Sequence, residues 1–248
     1  AEAEKPGVTV VELPEDIAED DVDLLPMNVT KTRRPAADHK AIKAAVDLVA
    51  AAKNPIIIAG NGAVRKRASD QLKRFAHKSG IAVVSTFMGK GAVARSDEHC
   101  LFTMGLQGGD YVNLAVDEAD SVIAAGYDLV EYAPSLWNKT PGKKLISLDF
   151  EPAEIDSDFP VDVDVVGDLG DALWQMSEEL NNRFEGKLPL FDINDRKKLR
   201  DTILADLFVE ENDVSFPAKP QKIINDVQKF LGPKDIVLSD VGAHKMWI

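Results

Sequence analysis

The residues able to do chemistry are few, and most stand where a short apolar run ends. Gly60-Asn61-Gly62 follows the run PIIIA and precedes a helical stretch, so its backbone N–H groups could face a phosphate or a flavin. The dinucleotide fingerprint GxGxxG is incomplete, because Arg65 stands at its third glycine, and a tight turn is the commoner use of such glycines. Gly89 lies in a glycine-rich stretch after the next run, and Gly126-Tyr127 closes the run SVIAA. Asp149 ends the run LISL, where a carboxylate can accept hydrogen bonds from a ribose. Asp168 follows VVG, belongs to the same row of strand ends, and is placed to cap the next helix. Val241-Gly242-Ala243-His244 follows DIVLSD. A glycine there lets the backbone approach a phosphate, and the histidine can donate to it.

Other reactive groups receive plainer readings. His39 and His77 sit in charged helical contexts and are expected at the surface. His99 adjoins Cys100, but a nucleophile pair requires contact in space, which adjacency in sequence does not supply. Nine acids fall between Asp149 and Asp171 with no Lys or Arg among them. Asp162 and Asp164 alternate with Val161, Val163 and Val165, which puts them on one strand face, expected to be solvated. No EF-hand spacing is present. No catalytic residue and no metal ligand is assigned within the chain.

The elements that must position these residues follow from periodicity. Strands are expected at 55–60, 81–85, 122–126, 145–148 and 163–166, and also at Val8–Leu13 and Asp235–Ser239. Helices are expected from Asp38 to about Ala52, after Gly62 with Leu72, Phe75 and Ala76 on one face, at Tyr111–Glu118, from Leu169 through Leu180, from Asp195 to about Val209, and around Ile223–Leu231. A glycine-rich segment runs from Met88 to Gly109, with no strand assigned in it. Alternating strands and helices imply an α/β fold with a doubly wound, mostly parallel, Rossmann-like sheet. Ligands of such sheets sit at the carboxyl ends of the strands, near the point where strand order reverses.

Composition narrows the classes. The chain has 248 residues, 45% of them apolar, and a net charge of −13. Nucleic acid and anionic membrane are poor partners for such a chain. One cysteine excludes an internal disulfide framework and fits a reducing compartment, so a cytoplasmic location is expected. No apolar run approaches the roughly 18 residues of a membrane span. AEAEKPG lacks the form of a signal peptide, and both ends read as cuts through a longer enzyme.

Taken together, VTVVELPEDI, NPIIIAGNGA, STFMGKGAV, ISLDFEPAEID followed by VVGD, and SDVGAHKMW resemble, in this order, the thiamine-diphosphate-dependent enzymes that include acetolactate synthase, pyruvate oxidase and pyruvate decarboxylase. The resemblance implies that residues 1–17 end a pyrimidine-binding domain, 18–37 are a linker, 38–181 a central Rossmann-like domain, 182–216 a linker with a helix, and 217–248 the start of a diphosphate-binding domain. It implies that Val241 to His244 touch the cofactor diphosphate, with Ala243 where many relatives carry Gln.

Within the family, GYDLVEYAPSLWN (126–138) is most similar to the catabolic acetolactate synthases. Flavin-containing biosynthetic enzymes usually carry an Arg-Phe-Asp-Asp-Arg run here. Tyr127-Asp128 replaces its start and no arginine follows until Arg183, so the resemblance leans away from FAD. The possible nucleotide or flavin pocket is Gly60, Asn61, Gly62, Gly89, Gly126, Tyr127, Asp149 and Asp168.

The implied parent decarboxylates pyruvate, or another 2-oxo acid, on thiamine diphosphate and Mg²⁺ and joins the product to a second pyruvate, as a homodimer or homotetramer. The activating glutamate and the Mg²⁺ ligands are expected outside these 248 residues, so the segment alone is expected to be inactive. A flavin- or nucleotide-binding module, of a pyruvate oxidase-like enzyme or an electron-transfer flavoprotein-like protein, stays open beside this reading, as does a purely structural dimerisation domain.

Overall fold

Six short runs of four to six residues, most of them apolar, pair into one sheet. The computed structural model describes residues 5–29, 33–105, 111–208, 210–232, 234–240 and 242. Its strands are β1 (Pro55–Ala59), β2 (Ala82–Ser85), β3 (Cys100–Thr103), β4 (Ser121–Ala125), β5 (Lys144–Asp149) and β6 (Val163–Val166). All are parallel, in the order β3-β2-β1-β4-β5-β6. That is the order of a doubly wound dinucleotide-binding sheet, with its reversal between β1 and β4. The expected fold class is borne out.

The register explains the two-sided burial. Ile57 stands opposite Val83 and Ile123, and Ile146 opposite Ile123 and Val163. Residues in such rows project to one face and their neighbours to the other. Helices α2 (His39–Ala51), α3 (Lys66–Ser79) and α6 (Leu169–Arg183) cover the first face, packing Ile42, Val46, Leu72, Phe75 and Leu173 against Ile57, Ile123 and Ile146. Helices α4 (Tyr111–Asp117), α5 (Pro134–Trp137) and α7 (Asn194–Leu207) lie on the second, where Val112, Trp137 and Ile203 meet Ile56, Ile58 and Leu145. Each such fully buried side chain contributes about 1.5–3 kcal/mol. The remaining helices are α1 (Glu15–Ala18) and α8 (Pro220–Phe230). Among the described residues, no helix is long and apolar enough to cross a membrane.

The caps agree with the sequence. The Asp38 carboxylate accepts from Lys40 N and Ala41 N at 3.1 Å each, and Asp168 accepts from Asp171 N at 2.9 Å. Each satisfies N–H groups that the first helical turn cannot pair.

Four expectations fail. Val8–Leu13 is not a strand: it is irregular, with Val8 and Val10 more than four-fifths exposed. Asp235–Ser239 is likewise irregular, with Ile236 and Leu238 exposed. Both have the composition of strands, but a strand needs a neighbour for its backbone groups, and among the described residues neither segment has one. Conversely, β3 arises inside the glycine-rich segment, where no strand is expected. It is short and irregular: its pairing with β2 shifts register, and Phe102 adopts φ +67°. The acidic strand face is also not simply solvated. Asp162 accepts from Lys144 Nζ at 2.7 Å and Leu145 N at 2.9 Å, and Asp164 accepts from Ala153 N at 2.9 Å.

Candidate functional site

The carboxyl ends of β1 and β4 meet at the reversal point through glycines. Gly60 N donates to Ala125 O at 3.0 Å, Gly62 N to Gly126 O at 2.9 Å, and Gly126 N to Leu148 O at 2.8 Å. A Cβ at Gly60 would lie 2.4 Å from Gly126 O, and one at Gly126 would lie 2.6 Å from Gly62 Cα. Gly126 also takes φ +59°, a region costly for residues with a Cβ. Gly89 draws the segment after β2 across the same end, since a Cβ there would be 2.0 Å from Ala59 O. Four predicted glycines thus converge, and their common property is close backbone approach.

The anion position of this crevice is taken by the chain itself. Glu131 Oε1 accepts from Asn61 N at 2.9 Å and from Asp128 N at 3.2 Å. Thr86 Oγ1, fully buried, donates to Glu131 Oε2 and accepts from Gly89 N at 2.9 Å. A carboxylate on turn N–H groups uses the same electrostatics that would hold a phosphate there. Gly60 N and Gly62 N are paired as well, so each of the three turn N–H groups has a partner within the chain.

The remaining strand-end residues separate by role. Tyr127 points into the core: its hydroxyl donates to Tyr132 O and accepts from Trp137 Nε1 at 3.1 Å. Its ring stands edge-on to Trp137 and Phe159, and burial pushes its phenol up. Asp168 is committed to structure, because its carboxylate caps α6 and accepts from Arg34 Nη1 at 2.9 Å. Burial works against its ionisation, yet Arg34, the Asp171 N–H and Arg67 hold the carboxyl below the usual carboxylate range. Asp149 differs. Burial holds its carboxyl above that range, against Lys5 and the N–H groups of Phe150 and Glu151, and Lys5 Nζ lies 3.8 Å away. Its Oδ1 accepts from Phe150 N at 2.5 Å, so it too has a partner within the chain.

Gly242 is described only as a bend in the backbone, while Val241, Ala243 and His244 lie outside the described residues. The His99–Cys100 pairing does not form a nucleophile site: burial pushes the Cys100 thiol up, and His99 turns to Asp97.

A family model described as thiamine pyrophosphate enzyme, central domain, matches residues 42–176, more than half of the chain. The chain belongs to the thiamine pyrophosphate enzymes. The match takes in all six strands and the glycine convergence. This thiamine pyrophosphate enzyme segment is 29% identical over 251 residues to an acetolactate synthase large subunit from Parasynechococcus marenigrum, covering 98% of the chain and 40% of that relative. It is 28% identical over 254 residues to the acetolactate synthase large subunit of Haemophilus influenzae, covering 98% of the chain and 43% of the relative. The chain therefore spans about two fifths of the length of the curated relatives it matches. A solved Mycobacterium smegmatis protein assigned as a thiamin diphosphate-dependent enzyme superposes with a TM-score of 0.52 at 25% identity, over 62% of this chain and 30% of that one.

Sequence reasoning missed Glu131 and Thr86, which organise the site. Glu131 lies within GYDLVEYAPSLWN and Thr86 within STFMGKGAV, but neither residue's type or spacing singles it out there. Only the packing of the β4–α5 segment over β1 and β2 brings them together.

Proposed function

We propose that the chain is the central region of a thiamine-diphosphate-dependent carboligase resembling acetolactate synthase, whose whole protein converts two pyruvates to 2-acetolactate and CO₂. The observation that carries this is the near-complete alignment, 98% of the chain, with acetolactate synthase large subunits. The family supports thiamine diphosphate as cofactor, and Mg²⁺ accompanies it in this proposal. A cytoplasmic homodimer or homotetramer completes the reading.

The described residues offer neither a diphosphate cradle nor a carboxylate–amide set for Mg²⁺ next to one, so no catalytic step is assigned to them. Their part is to hold the neighbouring regions in place. The domain boundaries at 17, 37, 181 and 216 belong to the same proposal. Supporting them, Val8, Val10, Ile236 and Leu238 lie exposed in strand-like sequence on either side of the sheet domain, as segments completing sheets elsewhere would be. The central domain is proposed to work without FAD, because Glu131 occupies the turn N–H groups a flavin diphosphate would need.

The test is an acetolactate assay with pyruvate, thiamine diphosphate and Mg²⁺. The 248-residue chain is expected to be inactive and its full-length parent active. Turnover by the segment alone would overturn the inactive-segment reading, and a parent that consumes no 2-oxo acid would overturn the carboligase. Co-purification of a yellow chromophore would favour a flavin-binding module instead.

A further inference from the structure

The amino end of the sheet carries a polar cluster unrelated to the strand-end crevice. His77 lies in the last turn of α3. Asp97 and His99 lie on the segment entering β3, which is pinned by Val83 N donating to His99 O at 2.8 Å and by Cys100 N donating to Asp97 O at 3.1 Å. The side chains of Asp97 and His99 are each 4% exposed, while that of His77 is 41% exposed. One ligand atom from each of the three lies within 4.8 Å of the others.

The distances inside the cluster are those of ligands around one small ion. His77 Nε2 is 3.0 and 2.9 Å from the two Asp97 oxygens. His99 Nδ1 is 3.4 Å from Asp97 Oδ1, and the two imidazole rings sit 4.1 Å apart, tilted by 48°. Bonds of about 2.0–2.1 Å at tetrahedral angles place neighbouring ligand atoms roughly 3.3–3.4 Å apart, close to the two nitrogen–carboxylate distances, and the third pair lies within 4.8 Å.

The decisive atom is His99 Nδ1. It is buried and has no hydrogen-bond partner among the described residues, although it lies beside a carboxylate oxygen. A buried nitrogen left in this way is costly. A cation between it and Asp97 would satisfy both.

The geometry points to a divalent transition-metal site, of the Zn²⁺ class, formed by His77, Asp97 and His99, with solvent completing the coordination on the exposed His77 side. Two imidazoles and a carboxylate are borderline donors that suit Zn²⁺ and its neighbours better than Mg²⁺ or Ca²⁺. Burial and His77 disfavour the imidazolium of His99, the form that cannot ligate a metal. The Asp97 carboxyl is held below the usual range by His77 and the His99 N–H despite burial. The negative end of the α3 dipole favours a cation here. Lys73 opposes one: its Nζ is 3.5 Å from Asp97 Oδ2, but its side chain is 56% exposed and free to swing outward. A bound ion would tie α3 to the β3 edge of the sheet.

The test is titration of the EDTA-stripped 248-residue chain with ZnCl₂ by calorimetry, with Co²⁺ visible absorption as a second probe and melting temperature as a third. Wild type is expected to bind about one ion below about 10 µM and to melt higher with Zn²⁺. His77→Ala, at an exposed position that leaves the core intact, is expected to weaken binding at least about tenfold and abolish the thermal gain. Lys73→Met is expected to tighten binding, and His39→Ala, at an unrelated exposed histidine, to change nothing. No saturable binding by wild type, or equal losses in His39→Ala and His77→Ala, would overturn the site.

Discussion

The two ends of the sheet solve the same polar problem in opposite ways. At the carboxyl end the chain satisfies itself: Glu131 fills the anion position over Asn61, and Thr86 braces it. At the amino end, His99 Nδ1 is buried beside Asp97 without a hydrogen bond. At the usual ligand end of a doubly wound sheet the turn N–H of Asn61 thus meets the protein's own carboxylate, while the opposite end holds a buried histidine nitrogen beside a carboxylate. A strand-end position is a place where a ligand can bind, and a fold can spend it on its own side chain.

Substitutions can break or sharpen this contrast. The largest effect is expected for Gly60→Ala. Its Cβ would fall 2.4 Å from Gly126 O and 2.5 Å from Tyr127 Cα, both backbone atoms, so the cost should be about 3 kcal/mol, read as a lowered urea midpoint. A near-neutral result would mean that the two strand ends are not locked together.

Glu131→Gln comes next. It removes the charge from bonds to Asn61 N and Asp128 N, and a loss of about 1–3 kcal/mol is expected. If the carboxylate stands in for a phosphate, this variant should also bind ADP or FAD more tightly than wild type in a calorimetric titration.

Asp168→Asn should cost about 1–2 kcal/mol, through the α6 cap and the Arg34 bond. It also changes the response to acid. The folded carboxyl titrates below its unfolded value, so its stabilisation is fully present above the unfolded carboxylate pKa and is lost as pH falls through the folded one. The variant should lose less stability than wild type across that acid window in chemical denaturation. Asp149, held above the usual range, works in the opposite sense, and Asp149→Asn should be neutral or slightly stabilising near neutral pH.

The smallest effect is expected for Val10→Ser. Val10 is 83% exposed, and the change should stay within about ±0.5 kcal/mol in the 248-residue chain. The same substitution in the full-length parent should cost more if residues 8–13 complete a sheet there, which a paired melting experiment would read.

The sequence by itself determined the sheet. Runs such as PIIIA and VIAA are apolar at every position, which only a strand buried on both faces tolerates. The helices α2 and α6 were legible with their caps, because Asp38 and Asp168 precede apolar residues at helical spacing. The glycines of the crevice were also visible, since a run ending in glycine marks a close approach or a turn. What failed were features that need a partner. Val8–Leu13 and Asp235–Ser239 have strand composition without a neighbour to pair with, and β3, four residues of CLFT inside a glycine-rich segment, becomes a strand only through its pairing with β2. Tertiary structure alone decided that Glu131 reaches across to Asn61, that Tyr127 points inward to Trp137, and that His77 meets Asp97 and His99 across twenty residues of chain. Periodicity records which face of an element is buried. Which polar group meets which depends on how separate elements pack, and no local pattern encodes that.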